Sequence, residues 1–300
     1  MNILVTGGCG FIGSTLVDKL VSTGHTVIVV DNLSSDAHEQ FYFNDAVKYY
    51  KEDVRDNLTL RDIFHRHKPE YVFHLAAEAR IQNCMNDPVL AVETNTIGTL
   101  NILDCAKLER TKRVMFSSTS AIYGLKNTPP MQETDTPDCL NAYAYSKWFS
   151  EGLCKMYSSL YGVDTVCFRY FNVFGERQPI RGSYAPVIGV FSRQKNAGEP
   201  MTIVGDGLQT RDYIHVNDVV SANIKGMLYP DPLNGEVFNV GSGSNYSVLD
   251  IAKIMGGVYT YIPARDGEAR DTLADTTKIK DKFNWHTTIP MKDWIERTYK

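Results

Sequence analysis

Tyr143 and Lys147 stand four residues apart at the start of an amphipathic stretch, so a helix there puts both on one face. A lysine ammonium beside a phenol favours the phenolate and lowers the tyrosine pKa from its ordinary value of about 10. A tyrosine tuned in this way serves as general base toward an alcohol near neutral pH. The same spacing also arises from an aromatic core residue beside a solvated lysine, so the neighbouring residues decide. Upstream, Phe116-Ser117-Ser118-Thr119-Ser120-Ala121-Ile122-Tyr123-Gly124 reads as a strand end running into hydroxyl-bearing residues.

A second chemistry-bearing segment opens the chain. Leu4-Val5-Thr6-Gly7-Gly8-Cys9-Gly10-Phe11-Ile12-Gly13 is a short apolar strand that enters a glycine turn and then a helix with Ile12, Leu16 and Leu20 on one stripe. Glycines at 7, 10 and 13 permit a tight turn and let backbone N–H groups approach a pyrophosphate, and the helix N-terminus adds positive potential. Gly24 closes that helix. A second strand over Thr26–Val30 ends in Asp31, where a carboxylate accepts hydrogen bonds from both adenosine ribose hydroxyls. No Arg or Lys lies between Asn32 and Val47 to welcome a 2′-phosphate, so the reading is NAD rather than NADP.

The elements that must position these residues alternate. Strands are expected at Val47–Asp53, Tyr71–Leu75, Arg113–Ser118 and Thr165–Tyr170. Helices are expected at Leu58–His67, Pro88–Leu108 (one long helix, with Asp87 as cap and Pro88 in its first turn) and Tyr143–Leu160. Such βαβ alternation predicts an α/β fold, a Rossmann-like doubly wound parallel sheet with a smaller C-terminal α/β substrate lobe. Ligands on these sheets lie beyond the carboxyl ends of the strands, where Asp31, Asp53, His74–Ala77, Ser117–Thr119 and Asn172 fall. The expected division is an NAD-binding domain over 1–170, with return segments at 217–240, and a lobe over 171–300 that mainly binds substrate.

Three hundred residues, 43% hydrophobic and 22% charged, suit a globular chain with a large core. No apolar run approaches the roughly 18 residues that span a bilayer. The chain enters a core strand at once, which leaves no room for a targeting peptide and points to a cytoplasmic protein. A net charge of −4 without a basic block argues against nucleic acid as partner. The six cysteines show no CxxC or metal-ligand spacing, and His65 and His67 do not face each other on their helix, so no metal site is expected.

Taken together and in order, these motifs resemble the extended short-chain dehydrogenase/reductase family, and the resemblance covers essentially the whole chain. It implies NAD as cofactor and a triad of Tyr143, Lys147 and a hydroxyl carried over to Thr119, with Ser118 and Ser120 as near alternatives. It implies cofactor contacts from Gly7, Gly10, Phe11, Ile12 and Gly13, from Asp31-Asn32, from Asp53-Val54 on the adenine side, from Leu75, Ala76 and Ala77 within His74-Leu75-Ala76-Ala77, and from Lys147. Within the family the sequence looks most like a UDP-sugar 4-epimerase, through Asp31-Asn32-Leu33-Ser34-Ser35, Arg169-Tyr170-Phe171-Asn172-Val173-Phe174-Gly175, Gly205-Asp206-Gly207 and Arg211-Asp212-Tyr213-Ile214-His215-Val216. That likeness implies that Thr119 and Tyr143 meet the sugar, Asn172 and Arg211 the diphosphate, and Arg265 and Glu268 the uridine.

The expected reaction is 4-epimerisation of a UDP-hexose or UDP-N-acetylhexosamine. Tyr143 takes the C4 hydroxyl proton as hydride leaves C4, and the 4-keto sugar turns and is reduced on its other face. The alternative is a nucleotide-sugar dehydratase or UDP-glucuronate decarboxylase of the same family. Dehydratases place an Asp-Glu pair right after the Thr and decarboxylases usually a Glu at the second of these positions; here Ser120 and Ala121 stand there. Glu78 and Arg80 follow the His-Leu-Ala-Ala segment where smaller or uncharged residues are common. Thr272 falls where epimerases restricted to glucose and galactose carry a large aromatic, which leaves room for an N-acetyl group. The family commonly forms homodimers through a four-helix contact, here about Asn95–Leu108 and Tyr143–Leu160, with Tyr145 placed to meet a partner helix.

Overall fold

The computed structural model describes residues 1–35, 40–180, 186–264 and 270–299. The first half runs β1 (Asn2–Thr6), α1 (Phe11–Ser22), β2 (Thr26–Val30), β3 (Lys48–Tyr50), α2 (Asn57–His67), β4 (Tyr71–His74), α3 (Ile81–Asn86), α4 (Pro88–Val92), α5 (Gly98–Leu108), β5 (Arg113–Thr119), α6 (Ala142–Tyr161) and β6 (Asp164–Tyr170). Then follow β7 (Asn172–Phe174), α7 (Val187–Asn196), β8 (Met201–Val204), β9 (Thr210–His215), α8 (Val216–Leu228), β10 (Glu236–Val240), β11 (Asn245–Ser247), α9 (Val248–Met255), β12 (Tyr259–Ile262), α10 (Thr277–Phe283) and α11 (Met291–Tyr299).

Seven strands form one sheet in the order β10-β6-β5-β4-β1-β2-β3, with every neighbouring pair parallel. Their near-continuous apolar runs suit a sheet covered on both faces. One apolar layer joins α1 and α8 to the sheet through Leu16, Leu20, Val219 and Phe238, and Phe283 and Trp285 from the C-terminal region pack into it. The other joins α2, α5 and α6 through Ile63, Ile102, Leu103 and Cys154. A separate core around Phe174, Phe191, Ile203, Ile251 and Trp294 holds the smaller lobe. That lobe carries a three-stranded sheet, β11-β9-β7, and a two-stranded one, β12-β8.

The ends of the key helices follow from local chemistry. Gly24, at φ +81°, closes α1 in a conformation that costs glycine nothing. Helix α6 starts where the Asn141 side chain accepts the Ala144 N–H at 3.0 Å and stops at the left-handed Gly162. β3 spans three residues rather than the seven expected, because this outermost strand pairs with β2 at three positions only. The long helix expected over 88–108 is broken by a π turn at Glu93–Ile97, which separates α4 from α5. The extra residue swings Asn95 inward, where its amide bonds both the N–H and the C=O of Glu78 and the hydroxyl of Ser146. Among the described residues, no helix is long and apolar enough to cross a membrane.

Candidate active site

A cleft of about 480 Å³ opens along the carboxyl ends of the central strands. The glycine turn, Asp31-Asn32 and Val54 line one end, Leu75–Ala77 the middle, and Tyr143 and Lys147 the other. The sequence motifs are therefore brought together across more than a hundred residues of chain.

The cofactor end is a backbone cradle. A Cβ on Gly7 would meet the Ala76 amide nitrogen at 2.7 Å, and one on Gly13 would meet the Gly7 carbonyl at 2.0 Å, so the turn closes onto β4 and α1 only with glycine there. Gly10 is the N-cap of α1 and supplies no side-chain cap. The first N–H groups of the helix thus need an acceptor, which a pyrophosphate provides. Asp31 is oriented by two backbone donors, Cys9 N–H to Oδ2 and Leu33 N–H to Oδ1, both at 2.9 Å. Burial and the Asp31 charge push the Cys9 thiol up to about 12, so this cysteine stays protonated and inert. These features fit a dinucleotide.

Asp53 does not line the cleft. Its carboxylate is held by Arg55 (3.0 and 2.9 Å) and by the Asn32 amide (2.9 Å), and the Arg55 bond is the main cause that holds its pKa at about 2. Arg55 does line the cleft, a cation that lies beyond the Asn32–Val47 stretch and reaches the ribose end from the loop after β3. The guanidinium is committed to Asp53 and, at 3.4 Å, to Glu93, so it is already neutralised at the ribose end.

The reactive end is built on β5 and α6. Lys147 is 3% exposed; its ammonium donates to the Ser117 carbonyl at 2.9 Å and lies 4.8 Å from the Phe116 ring centroid. Burial lowers its pKa to about 8. Tyr143 is half-buried, its open side facing the cleft. The dehydrated surroundings of the phenol push it up to about 12, opposed by the Thr119 hydroxyl. This corrects the expectation that Lys147 lowers the phenol: the ammonium is turned to the Ser117 carbonyl, and desolvation by burial is the largest influence on the phenol. Thr119 accepts the Ala121 N–H at 3.1 Å, which leaves its own proton for the phenol or a substrate oxygen. Ser118 also lines the cleft, but its hydroxyl is committed to Glu151, to which it donates at 2.6 Å.

Behind the site runs a directed chain of hydrogen bonds. Ala76 N–H donates to Thr6 Oγ, Thr99 donates to the Asn95 carbonyl, and buried His74 lies between the two hydroxyls, with Nδ1 2.7 Å from Thr6 and Nε2 3.0 Å from Thr99. Because Thr99 gives its proton to Asn95, His74 Nε2 is the donor toward Thr99 and Nδ1 accepts from Thr6. Burial holds this imidazole neutral, its pKa lowered to about 3.

The substrate positions are more scattered. Asn172 and Arg211 stand on strands β7 and β9, but neither lines the cleft. The Asn172 amide donates to the Asp212 carbonyl at 3.0 Å, and Arg211 Nη1 donates to the carbonyls of Thr210 and Arg270 at 2.9 and 3.2 Å. Thr272 is half-buried beside β9, with its amide on Thr210 O (3.1 Å) and its hydroxyl accepting the Asp212 N–H (3.4 Å). Arg265 and Glu268 lie outside the described residues.

A dinucleotide cradle that faces a tyrosine and a lysine across one cleft, with a threonine hydroxyl bonded to the phenol, is the arrangement of an NAD-dependent short-chain dehydrogenase/reductase enzyme. Residues 3–241 match the model of the NAD dependent epimerase/dehydratase family, and the chain belongs to it. It is similar to a UDP-glucose 4-epimerase of Mycolicibacterium smegmatis, 33% identical over 99% of this chain and 97% of that one. Among solved structures it is similar to the UDP-glucose 4-epimerase of Thermotoga maritima, solved with UDP-glucose (TM-score 0.93, 38% identity, 100% of this chain and 97% of that one). It is similar as well to the UDP-N-acetylglucosamine 4-epimerase of Methanobrevibacter ruminantium, solved in complex with UDP-N-acetylmuramic acid (TM-score 0.92, 32% identity, 99% and 96%).

Proposed function

We propose that the protein is a UDP-sugar 4-epimerase that accepts N-acetylated hexoses. The observation that carries this reading is that Tyr143 and Lys147 line one end of the cleft, with the Thr119 hydroxyl buried just behind the phenol and bonded to it, and no acid/base pair after Thr119. Tyr143 removes the proton of the sugar C4 hydroxyl and returns it after the sugar has turned. Thr119 donates to the C4 oxygen, and Lys147 holds a positive charge beneath it. NAD, when bound, supplies a reversible hydride acceptor. Ser120 and Ala121 offer no proton donor for elimination of water. Of the cleft-lining carboxylates, Asp31 and Glu52 lie at the adenosine end, and Glu78 has Oε1 engaged by the Arg80 N–H at 3.0 Å. Among the described residues that line the cleft, a dehydratase or decarboxylase would have to rely on Glu78. In the proposed complex, Asn172 and Arg211 hold the diphosphate, Arg211 by bidentate bonds.

Incubation with UDP-, GDP- and dTDP-sugars without added reductant, with products identified by NMR, tests the proposal. The expected result is interconversion at C4 of UDP-hexoses and UDP-N-acetylhexosamines; released carbon dioxide or a keto-deoxy product overturns it. In the same assay, Thr272→Tyr is expected to reduce kcat/KM for the acetylated substrate about 10- to 200-fold relative to the plain one, the scale of steric discrimination in a pocket. An unchanged ratio refutes the N-acetyl assignment.

We further propose a homodimer. On α6, Tyr145, Trp148 and Phe149 are 55, 43 and 59% exposed, and on the adjoining α4 and π turn so are Val89, Val92 and Ile97. Gly152 continues this face of α6 with open space where a Cβ would stand, which lets a second helix approach closely. The solution mass should be about twice 33.7 kDa, and Phe149→Asp should shift it toward one chain.

A further inference from the structure

Three residues of one α6 face, Tyr143, Lys147 and Glu151, meet three successive residues at the end of β5. Thr119 faces Tyr143, the Ser117 carbonyl takes Lys147, and the Ser118 hydroxyl donates to Glu151 Oε1 at 2.6 Å. Glu151 is in turn clamped by Arg169, which stands opposite Ser118 in the β5–β6 register and donates from Nε at 2.9 Å and from Nη2 at 2.8 Å. The pair is almost fully buried, at 4 and 6% side-chain exposure. Among the described residues Arg169 Nη1 has no hydrogen-bond acceptor, and the guanidinium lies 4.9 Å from the Tyr123 ring centroid. The Tyr123 hydroxyl donates to Asn239 Oδ1 at 2.6 Å, and the Asn239 amide reaches the carbonyls of Met131 and Asp275, in the segment that follows Thr272.

A buried ion pair contributes little stability over an apolar pair of the same volume, since desolvation offsets its attraction. What an apolar pair cannot do is hold a serine hydroxyl in one direction. We infer that Glu151, clamped by Arg169, is a positioning residue that fixes the end of β5 against α6 through Ser118, and so sets how Thr119 meets Tyr143 and where Lys147 sits. The inference rests on the proposed roles of those three residues. The titratable groups acting on Lys147 are Cys84 from α3, Glu151 and Cys154 from α6 and Cys167 from β6; Lys147 also acts on His74 of β4. Glu151 is the carboxylate among them, and its charge favours the ammonium.

The test uses the NAD-loaded enzyme and three variants, Ser118→Ala, Ser118→Thr and the volume-conserving double change Glu151→Leu with Arg169→Met. Ser118→Ala is expected to lower kcat about 10- to 100-fold, the scale of a small misplacement, with KM and NAD content within about twofold; Ser118→Thr, which keeps the hydroxyl, restores it. The double variant is expected to show the same kcat loss and an alkaline limb of kcat displaced to lower pH, because Lys147 loses its anionic neighbour. A merely structural pair would change thermal stability and leave both readouts in place. Folded variants with parental kcat and pH limb overturn the inference; if the double variant does not fold, the two Ser118 variants decide. A parental enzyme that epimerises no UDP-sugar overturns the proposed function and the inference together, whereas variants that match an active parent overturn the inference alone.

Discussion

If the proposed function holds, replacing Tyr143 by Phe is expected to lower the turnover of C4 epimerisation about 10²- to 10⁴-fold, the usual contribution of a positioned general base, while NAD content and the thermal midpoint stay near parental values. The cofactor cradle is built from the glycine turn and Asp31, at the other end of the cleft, which is why binding and chemistry separate. Burial pushes this phenol up to about 12, so it is protonated at neutral pH. To act as base, it must be drawn down by positive charge, and Lys147 stands one turn along the same face of α6. Lys147, lowered to about 8 by burial, loses its own charge above that pH. The kcat/KM profile of the free enzyme is therefore expected to fall above about pH 8, whereas the Tyr143→Phe enzyme loses activity at every pH. A variant of this kind with parental turnover removes Tyr143 from the chemistry.

Acid weakens the fold through His74. Its imidazole is neutral in the native state with a pKa near 3, against 6.5 for the unfolded chain. As pH drops below 6.5 the unfolded chain takes up a proton that the folded chain refuses, so the stability due to this residue is complete above 6.5 and declines toward pH 3. The span corresponds to about 5 kcal/mol at full development, an upper figure for one buried group. Urea unfolding at pH 7, 5 and 4 measures it, and in His74→Asn the slope attributable to this site should vanish. An equal slope in that variant would assign the acid sensitivity elsewhere. The same chain of bonds that makes His74 a donor to Thr99 and an acceptor from Thr6 is broken by the extra proton, which would leave Thr6 facing an N–H.

The parts of the site that were legible in sequence are those carried by short local spacing. Glycines at 7, 10 and 13 declare a turn whatever lies opposite, and Tyr143 and Lys147 share a face because any helix would place them so. Asp31 could be placed by counting along one βαβ unit. Three kinds of feature were out of reach. Arg55 reaches the ribose end from a loop after β3, and only the sheet order brings β3 beside β2. The Ser118–Glu151–Arg169 cluster depends on the register of β5 against β6, which neither strand states alone. The ionisation of Tyr143 was read with the wrong sign, because the spacing of Tyr143 and Lys147 is visible in a sequence and the depth of a cleft is not. The boundary errors have a similar origin: β3 is cut short by its position at the sheet edge, and nothing in the 3.6-residue pattern of 88–108 announces a π turn.

That π turn makes local chain length a determinant of how the candidate site is assembled. It fits one residue more than an ordinary turn into Glu93–Ile97, so every side chain downstream is rotated by about 100° relative to an uninterrupted helix. Thr99, which bonds His74, and Asn101, which bonds the Val54 and Arg55 carbonyls at 3.0 and 3.2 Å, reach their partners only in that rotated frame. Deleting a single amino acid here would yield a more regular helix and a blinded site, since the imidazole and the adenine-side loop would both face the wrong side of the cylinder. The irregularity is thus a phase setting between two halves of one rod, and a one-codon slip here would reset both Thr94, which lines the cleft, and the partners of residues beyond it.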